Sequence, residues 1–351
     1  MAEKLRCAVI GMGGAGLEHL HSLAACHRAA AVAIAESHAQ RAREASARFQ
    51  ISRSYADYHE LLEQPDIDAV AIATPTHLHA AMAIEALKSR KHVYLEQPMA
   101  LNGKEAARIV ETAKSMKRVL MVAQPWRFNR HTQLARALID RGDTGEIYHA
   151  RGYWMKRAGI PRIGSWYTQK QFSGGGCLTD LGIHLLDISL YLFKESDVLT
   201  VSAQTHTRFG QRNMGEGDIG RSEVDQKKTF DVEDGAVAVI RMKSGRSITL
   251  ETAWACFHPP DTREFGVELF GAGAGLSLFP LRHLRHTLDG SEVVHYANGK
   301  PAHAEDGLHH FVTCALDSKK LQTPPEESLK LRQILDALYA SAASGKEVRL
   351  G

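Results

Sequence analysis

The residues best suited to chemistry lie in one segment, Ser173-Gly-Gly-Gly-Cys-Leu-Thr-Asp180-Leu-Gly182-Ile-His184-Leu-Leu-Asp187. The three glycines make a loop, and the run after them has helical periodicity. Asp180, His184 and Asp187 stand at i, i+4 and i+7, which puts them on one helix face. Leu181, Leu185, Ile188 and Leu192 occupy another, packed face. An imidazole flanked by carboxylates can shuttle a proton, with a pKa movable across neutrality. The plain alternative is a helix-terminal carboxylate beside a structural histidine. An Asp/His pair can also hold a metal, but no third ligand stands at a motif spacing, so none is expected.

A second cluster is Gly11-Met12-Gly13-Gly14-Ala15-Gly16, which follows the apolar run Leu5–Ile10 and precedes Leu17, Leu20 and Leu23 at helical spacing. Glu36 closes the next apolar run, Ala31–Ala35. This is a dinucleotide fingerprint in context. Gly11 makes the tight turn, Gly13 admits a pyrophosphate to the backbone, and Gly16 packs helix on strand. The helix N-terminus offers free N–H groups to the phosphates. Glu36 would accept from a ribose hydroxyl and repel a 2′-phosphate, which favours NAD over NADP. Ser37, His38 and Arg41 lie nearby and could receive a phosphate, so NADP stays as the second choice.

These residues need elements to hold them. Short apolar runs at Leu5–Ile10, Ala31–Ala35, Ala69–Ala73, His92–Leu95 and Val119–Ala123 alternate with helical stretches at 38–48, 57–62, 76–88 and 103–116. Strands apolar on both faces, alternating with helices, predict an α/β doubly wound parallel sheet over residues 1–125. Beyond it, strands dominate at Tyr148–Trp154, Leu199–His206, Gly235–Met242, Ser247–Ala255, Phe265–Gly271 and Glu292–Tyr296, several alternating apolar with polar. That predicts an α+β domain over 126–351 with a large, mainly antiparallel open sheet. A loop is expected over 210–225, with helices at 132–141, 305–318 and 327–344.

Composition excludes several classes. The chain has 351 residues with 43 Lys+Arg against 40 Asp+Glu, which gives no general attraction to nucleic acid or acidic membranes. Its 5 cysteines are scattered and odd in number, which fits a reducing, cytoplasmic setting better than a disulfide framework. No uncharged apolar run reaches the ~18 residues of a membrane span, and the start lacks a signal-peptide pattern. The 19 histidines need no metal to explain them.

The ordered motifs resemble the Gfo/Idh/MocA family of sugar and cyclitol oxidoreductases. They comprise the glycine motif, Ala73-Thr74-Pro75-Thr76-His77-Leu78-His79, His92-Val-Tyr-Leu-Glu96-Gln97-Pro98, Trp126-Arg127-Phe128-Asn129, the 174–187 segment and Ser344-Gly-Lys-Glu-Val-Arg-Leu350. The resemblance implies that Thr74, Pro75, His77 and His79 line the cofactor, with Glu96 and Gln97 beside its nicotinamide ribose and Trp166 and Arg127 also approaching it. It makes Asp180 a substrate contact and His184 the general acid/base. It also implies a homodimer or homotetramer through the exposed face of the second sheet.

One position departs from the pattern. The family's Glu-Lys-Pro is Glu96-Gln97-Pro98 here. That lysine is read as the cation that holds the reacting hydroxyl. Glutamine keeps a donor and an acceptor but no charge, and losing a charged donor at such a site can cost on the order of 10²–10³ in rate. Trp154, Lys156 and Arg157, at the end of the first strand of the second domain, are candidate substrate contacts. Arg127 serves equally as an anchor of the domain junction. The expected function is hydride transfer between a secondary hydroxyl of a small sugar, glycoside or cyclitol and NAD, with His184, Asp180 and Gln97 at the reacting carbon. Two alternatives stay open: a glycosidase or lyase that retains NAD and oxidises a ring hydroxyl transiently, and a non-catalytic sugar or nucleotide sensor.

Overall fold

Strand β1 (Leu5–Ile10) lies at the centre of a six-stranded parallel sheet with β2 (Ala29–Ala35), β3 (Ser54–Tyr55), β4 (Ala69–Ile72), β5 (His92–Leu95) and β6 (Leu120–Val122). The order is β3-β2-β1-β4-β5-β6, so chain direction across the sheet switches between β1 and β4. A computed structural model describes residues 4–218, 220, 224–287, 289–296 and 306–350. Helices α1 (Gly14–Ala25), α2 (Ala39–Phe49), α3 (Tyr58–Leu62), α4 (Thr76–Lys88) and α5 (Gly103–Met116) connect the strands. The four residues of β4 are all buried, because helices cover the sheet. Asn102 caps α5 by accepting from the Glu105 N–H at 3.0 Å. By contrast, α1 begins at Gly13 with no side-chain cap, which leaves its first N–H groups for a ligand.

A turn at Pro125–Phe128 and helix α6 (Arg130–Asp140) lead to the second sheet. Its strands are β7 (Ile147–Met155), β8 (Val198–His206), β9 (Gly235–Met242), β10 (Ser247–Ala253), β11 (Phe265–Gly271), β12 (Gly275–Leu278), β13 (Arg282–Thr287), β14 (Gly290–His295) and β15 (Val348–Arg349). The nine strands run in the order β14-β13-β12-β11-β7-β10-β9-β8-β15, all antiparallel except the β7–β10 pair. The short helix α7 (Lys170–Ser173) precedes the glycine triplet, and α8 (Ile183–Phe193) follows it. Helix α9 (Gly307–Asp317) and α10 (Pro325–Ser344) close the chain.

Helix α8 packs on the inner face of this sheet, where Leu185, Leu186 and Ile188 are buried with Ala150, Ile248 and Leu250. The stretch Lys170–Phe193, taken by length and composition, is apolar enough to cross a membrane, but 83% of its apolar window is inside the protein, where that apolarity forms the core. Helix α9 returns to the first sheet: Leu308, Phe311 and Val312 share a core with Leu20, Leu23 and Val9.

Three expectations need correction. Strands β12 and β13 add to the six expected in this sheet, and Arg282–Thr287 of β13 is mostly exposed and carries no apolar alternation. The expected regular helix from Asp180 starts instead as one π-helical turn, Leu178–Gly182. The i, i+4, i+7 face is therefore broken. Asp187 is buried and pairs with Arg127, away from Asp180. The loop expected over 210–225 includes a short turn at Gly210–Arg212, while residues 219 and 221–223 lie outside the described residues, as does residue 305 at the start of the expected final helix pair.

Candidate active site

The glycine motif divides its labour. A Cβ on Gly16 would stand 1.8 Å from the Gly11 carbonyl oxygen, and one on Gly11 would stand 2.5 Å from that of Ala73, at a φ of +93°. These two glycines exist for packing. A Cβ on Gly13 or Gly14 would meet nothing within 4 Å, because both face an open cleft of about 950 Å³. Met12, Ala15, Glu36, Thr74, Pro75, Glu96, Gln97 and Trp166 also line this cleft. The uncapped start of α1, the bare glycines and an acid at the far end fit a dinucleotide: pyrophosphate at the helix, ribose at Glu36. Glu36 accepts from the Met12 and His38 N–H groups, each at 2.8 Å, so the same carboxylate holds the loop in shape. The Arg41 guanidinium stands 3.8 Å from it.

Glu96 directly follows β5 and lines the cleft as well. Burial pushes its carboxyl pKa up, but His19 of α1, with Nε2 2.8 Å away, outweighs this and keeps the group below its usual value. Sequence reading missed His19. Its placement at the second turn of α1 gave no chemical signal, and only the fold brings it to Glu96.

A smaller cavity of about 70 Å³ adjoins the cleft. Gln97, Trp166 and Tyr167 line both. Its other walls include Thr76, Asp180, His184 and Trp254. The volume suits a few hydroxyl groups. Asp180 Oδ2 accepts from the Trp254 indole N–H at 2.7 Å, a partner that sequence reading also missed. Burial pushes the His184 imidazole pKa down, against the opposing fields of Asp180, Asp187 and Glu96, so its neutral, proton-accepting form is favoured. Trp154 stands with its ring centroid 6.2 Å from that of His184, within an aromatic group that includes Trp126 and Phe265.

The glycine triplet has a packing cause. A Cβ on Gly176 would lie 2.0 Å from the Glu233 carbonyl oxygen. The buried Glu233 carboxylate accepts from the Gly176 and Leu178 N–H groups at 3.0 Å and from the Tyr339 hydroxyl at 2.8 Å. The loop that presents Asp180 and His184 is thereby fastened from behind.

Several expected contacts lie elsewhere. His79 is buried, with its ring nitrogens 2.8 Å from the Thr74 carbonyl oxygen and 2.9 Å from that of Pro98. It braces the two segments that line the cleft and does not itself line it. His77 packs against Phe172 at a centroid distance of 4.8 Å. Arg127 is committed to Asp187 and Glu327 at the junction of α8 and α10 and does not reach the cleft. Lys156 lies over the Trp154 ring, and Arg157 pairs with Glu264 at 3.4 Å, so neither lines the cavity. His79, Arg127 and Arg157 satisfy their charges or polar atoms where the tertiary neighbours already are, which spacing cannot reveal. Among the described residues, no three His, Cys, Asp or Glu side chains converge to hold a metal ion.

Residues 5–124 match the family described as "Oxidoreductase family, NAD-binding Rossmann fold", and residues 132–277 match the "GFO/IDH/MocA C-terminal domain". The chain is 28% identical to the D-glucoside 3-dehydrogenase of Escherichia coli, over 99% of this chain and 98% of the relative. It is 28% identical to the myo-inositol 2-dehydrogenase of Thermotoga maritima, over 76% of this chain and 73% of that one. A levoglucosan dehydrogenase solved in complex with NADH superposes with a TM-score of 0.85 at 24% identity, covering 99% of this chain and 100% of that one, a likeness of fold.

Proposed function

The chain belongs to the GFO/IDH/MocA family of NAD-binding oxidoreductases, and from that premise we propose that it oxidises a secondary hydroxyl of a sugar, glycoside or cyclitol, with His184 taking the hydroxyl proton. It is an NAD-dependent dehydrogenase acting on a CH–OH group. The observation that supports the finer reading is the convergence of a buried imidazole favouring its neutral form, Asp180 and the Gln97 amide in one cavity that adjoins the cofactor cleft.

NAD, when bound, supplies a hydride acceptor at its nicotinamide ring. The chain does the rest. Gly13 and Gly14 admit the pyrophosphate, and Glu36 accepts from a ribose hydroxyl. Glu96, tied to His19, stands with Trp166 at the end of the cleft next to the small cavity. Gln97 orients the substrate oxygen. His184 removes the hydroxyl proton, and Asp180, fixed by Trp254, stabilises the imidazolium that results. Without the family's lysine, no Lys or Arg among the described residues lining the cavity supports developing negative charge on the substrate oxygen, so more of the work falls to His184.

The protein with NAD and a panel of neutral sugars, methyl and aryl glycosides and inositols is the direct assay. Net NADH formation with at least one of these is expected. Aglycone release without net NADH, or binding without turnover of any compound, would overturn the proposal.

The outer face of the second sheet supports pairing of two copies. Val237, Val239 and Phe270 are exposed there beside the Arg151–Glu251 and Arg151–Glu268 pairs. Sedimentation velocity should show a dimer or tetramer, reduced to monomer by V237E/V239E. A wild-type monomer at micromolar concentration would exclude it.

A further inference from the structure

Two side chains facing the small cavity lack partners. Thr76, 1% exposed at the start of α4, has an unbonded Oγ1. Gln97, which lines the same cavity, has neither Nε2 nor Oε1 bonded. Buried polar atoms in folded proteins are nearly all hydrogen-bonded, so a pair left open in one cavity beside Asp180 and His184 marks groups that a ligand completes.

The chemistry of the pair says which ligand. A carboxamide offers one acceptor and two donors side by side, whereas a lysine ammonium only donates. Two hydroxyls on adjacent ring carbons present the complementary pattern, one donating to Oε1 and the other accepting from Nε2. Thr76 supplies a further hydroxyl that gives and takes. Among the described residues, no Lys or Arg lines the cavity, and its carboxylate is Asp180. A carboxylate or phosphate next to the reacting carbon would therefore be desolvated beside a like charge with no cation to meet it.

Resting on the reading that this cavity receives a ring polyol, we propose that Gln97, assisted by Thr76, selects uncharged substrates bearing a second hydroxyl on a carbon adjacent to the one oxidised. The glutamine is then a specificity element in place of the family's lysine, reading a vicinal diol where a lysine would hold one oxygen.

The test compares kcat/KM for the best-used polyol of the panel with that for each of its monodeoxy analogues. In the wild type, removing the neighbouring hydroxyl should lower kcat/KM about 10- to 100-fold, the cost of leaving buried polar groups unpaired, while removing distant hydroxyls changes it little. Gln97→Met should shrink that ratio to about 3-fold or less, and Thr76→Val should narrow it. A wild type that uses the deoxy analogue as well as the parent overturns the proposal. So does an undiminished ratio in both variants. The wild-type ratio decides alone if the variants do not fold. If no polyol is oxidised, the dehydrogenase reading has failed separately. Calorimetric binding of methyl glucoside and its monodeoxy analogues to the NAD-loaded protein then judges the diol proposal, and equal affinities overturn it.

Discussion

His184→Gln is expected to lower kcat about 10²- to 10⁴-fold, the usual worth of a positioned proton acceptor. NAD affinity should be unchanged, because His184 lines the small cavity and not the cofactor cleft. Glutamine approximates the volume of histidine and keeps a polar head in a buried place, so the loss reads chemistry more than packing. The pH profile supplies the second readout. Burial lowers the imidazole pKa below its ordinary 6.5, despite the nearby carboxylates. The base form is needed for oxidation, so the acidic limb of kcat/KM, which reports the free enzyme, should fall below that value and vanish in the variant. The sign for stability is the same. The folded state holds this histidine neutral while the unfolded chain protonates it, so its contribution is lost as pH drops below 6.5. An unchanged acidic limb in His184→Gln, or a kcat within a few-fold of wild type, would remove His184 from the mechanism.

Arg127→Leu should destabilise the fold by about 3–5 kcal/mol, the cost of leaving a buried charge without its partner. Arg127 and Asp187 side chains are each 3% exposed, and the guanidinium donates to Asp187 through Nε at 3.0 Å and a terminal nitrogen at 2.6 Å. Glu327 and the Gln322 carbonyl take its remaining face, and the Tyr191 ring lies 5.1 Å away. Removing the cation alone strands Asp187 in the core. Arg127→Leu/Asp187→Leu should recover part of the loss, since two apolar groups leave no charge unpaired. Urea unfolding measures both. A single variant as stable as the double would show that Asp187 tolerates isolation, contrary to its burial. Because α8 carries His184 as well as Asp187, some loss of kcat should accompany the loss of stability.

Much of this protein is a property of segments. Apolar runs bounded by glycines and alternating with helical stretches determine the parallel sheet, because each run must be covered on both faces wherever it lies. The spacing of Gly11, Gly13 and Gly16 determines a tight turn into a helix whose N–H groups are free, and Glu36 stands one strand further on. Asp180 and His184 are close along the chain, so any helix-like turn brings them together.

Pairings over distance are decided otherwise. Trp254 is 74 residues from its partner Asp180, and Asp187 is 60 from Arg127. No local periodicity encodes such distances. The π-helical turn at Leu178–Gly182 changes how Asp180 sits relative to the α8 residues His184 and Asp187, and Asp187 is taken up by Arg127 in the core. His79, Arg127 and Arg157 looked available because their types are reactive. Packing gave each a nearer partner, since a buried or half-buried polar group takes the first hydrogen bond the fold offers. Gln97 and Thr76 are the reverse case: ordinary residue types lining one cavity whose side-chain polar atoms the tertiary structure leaves without partners.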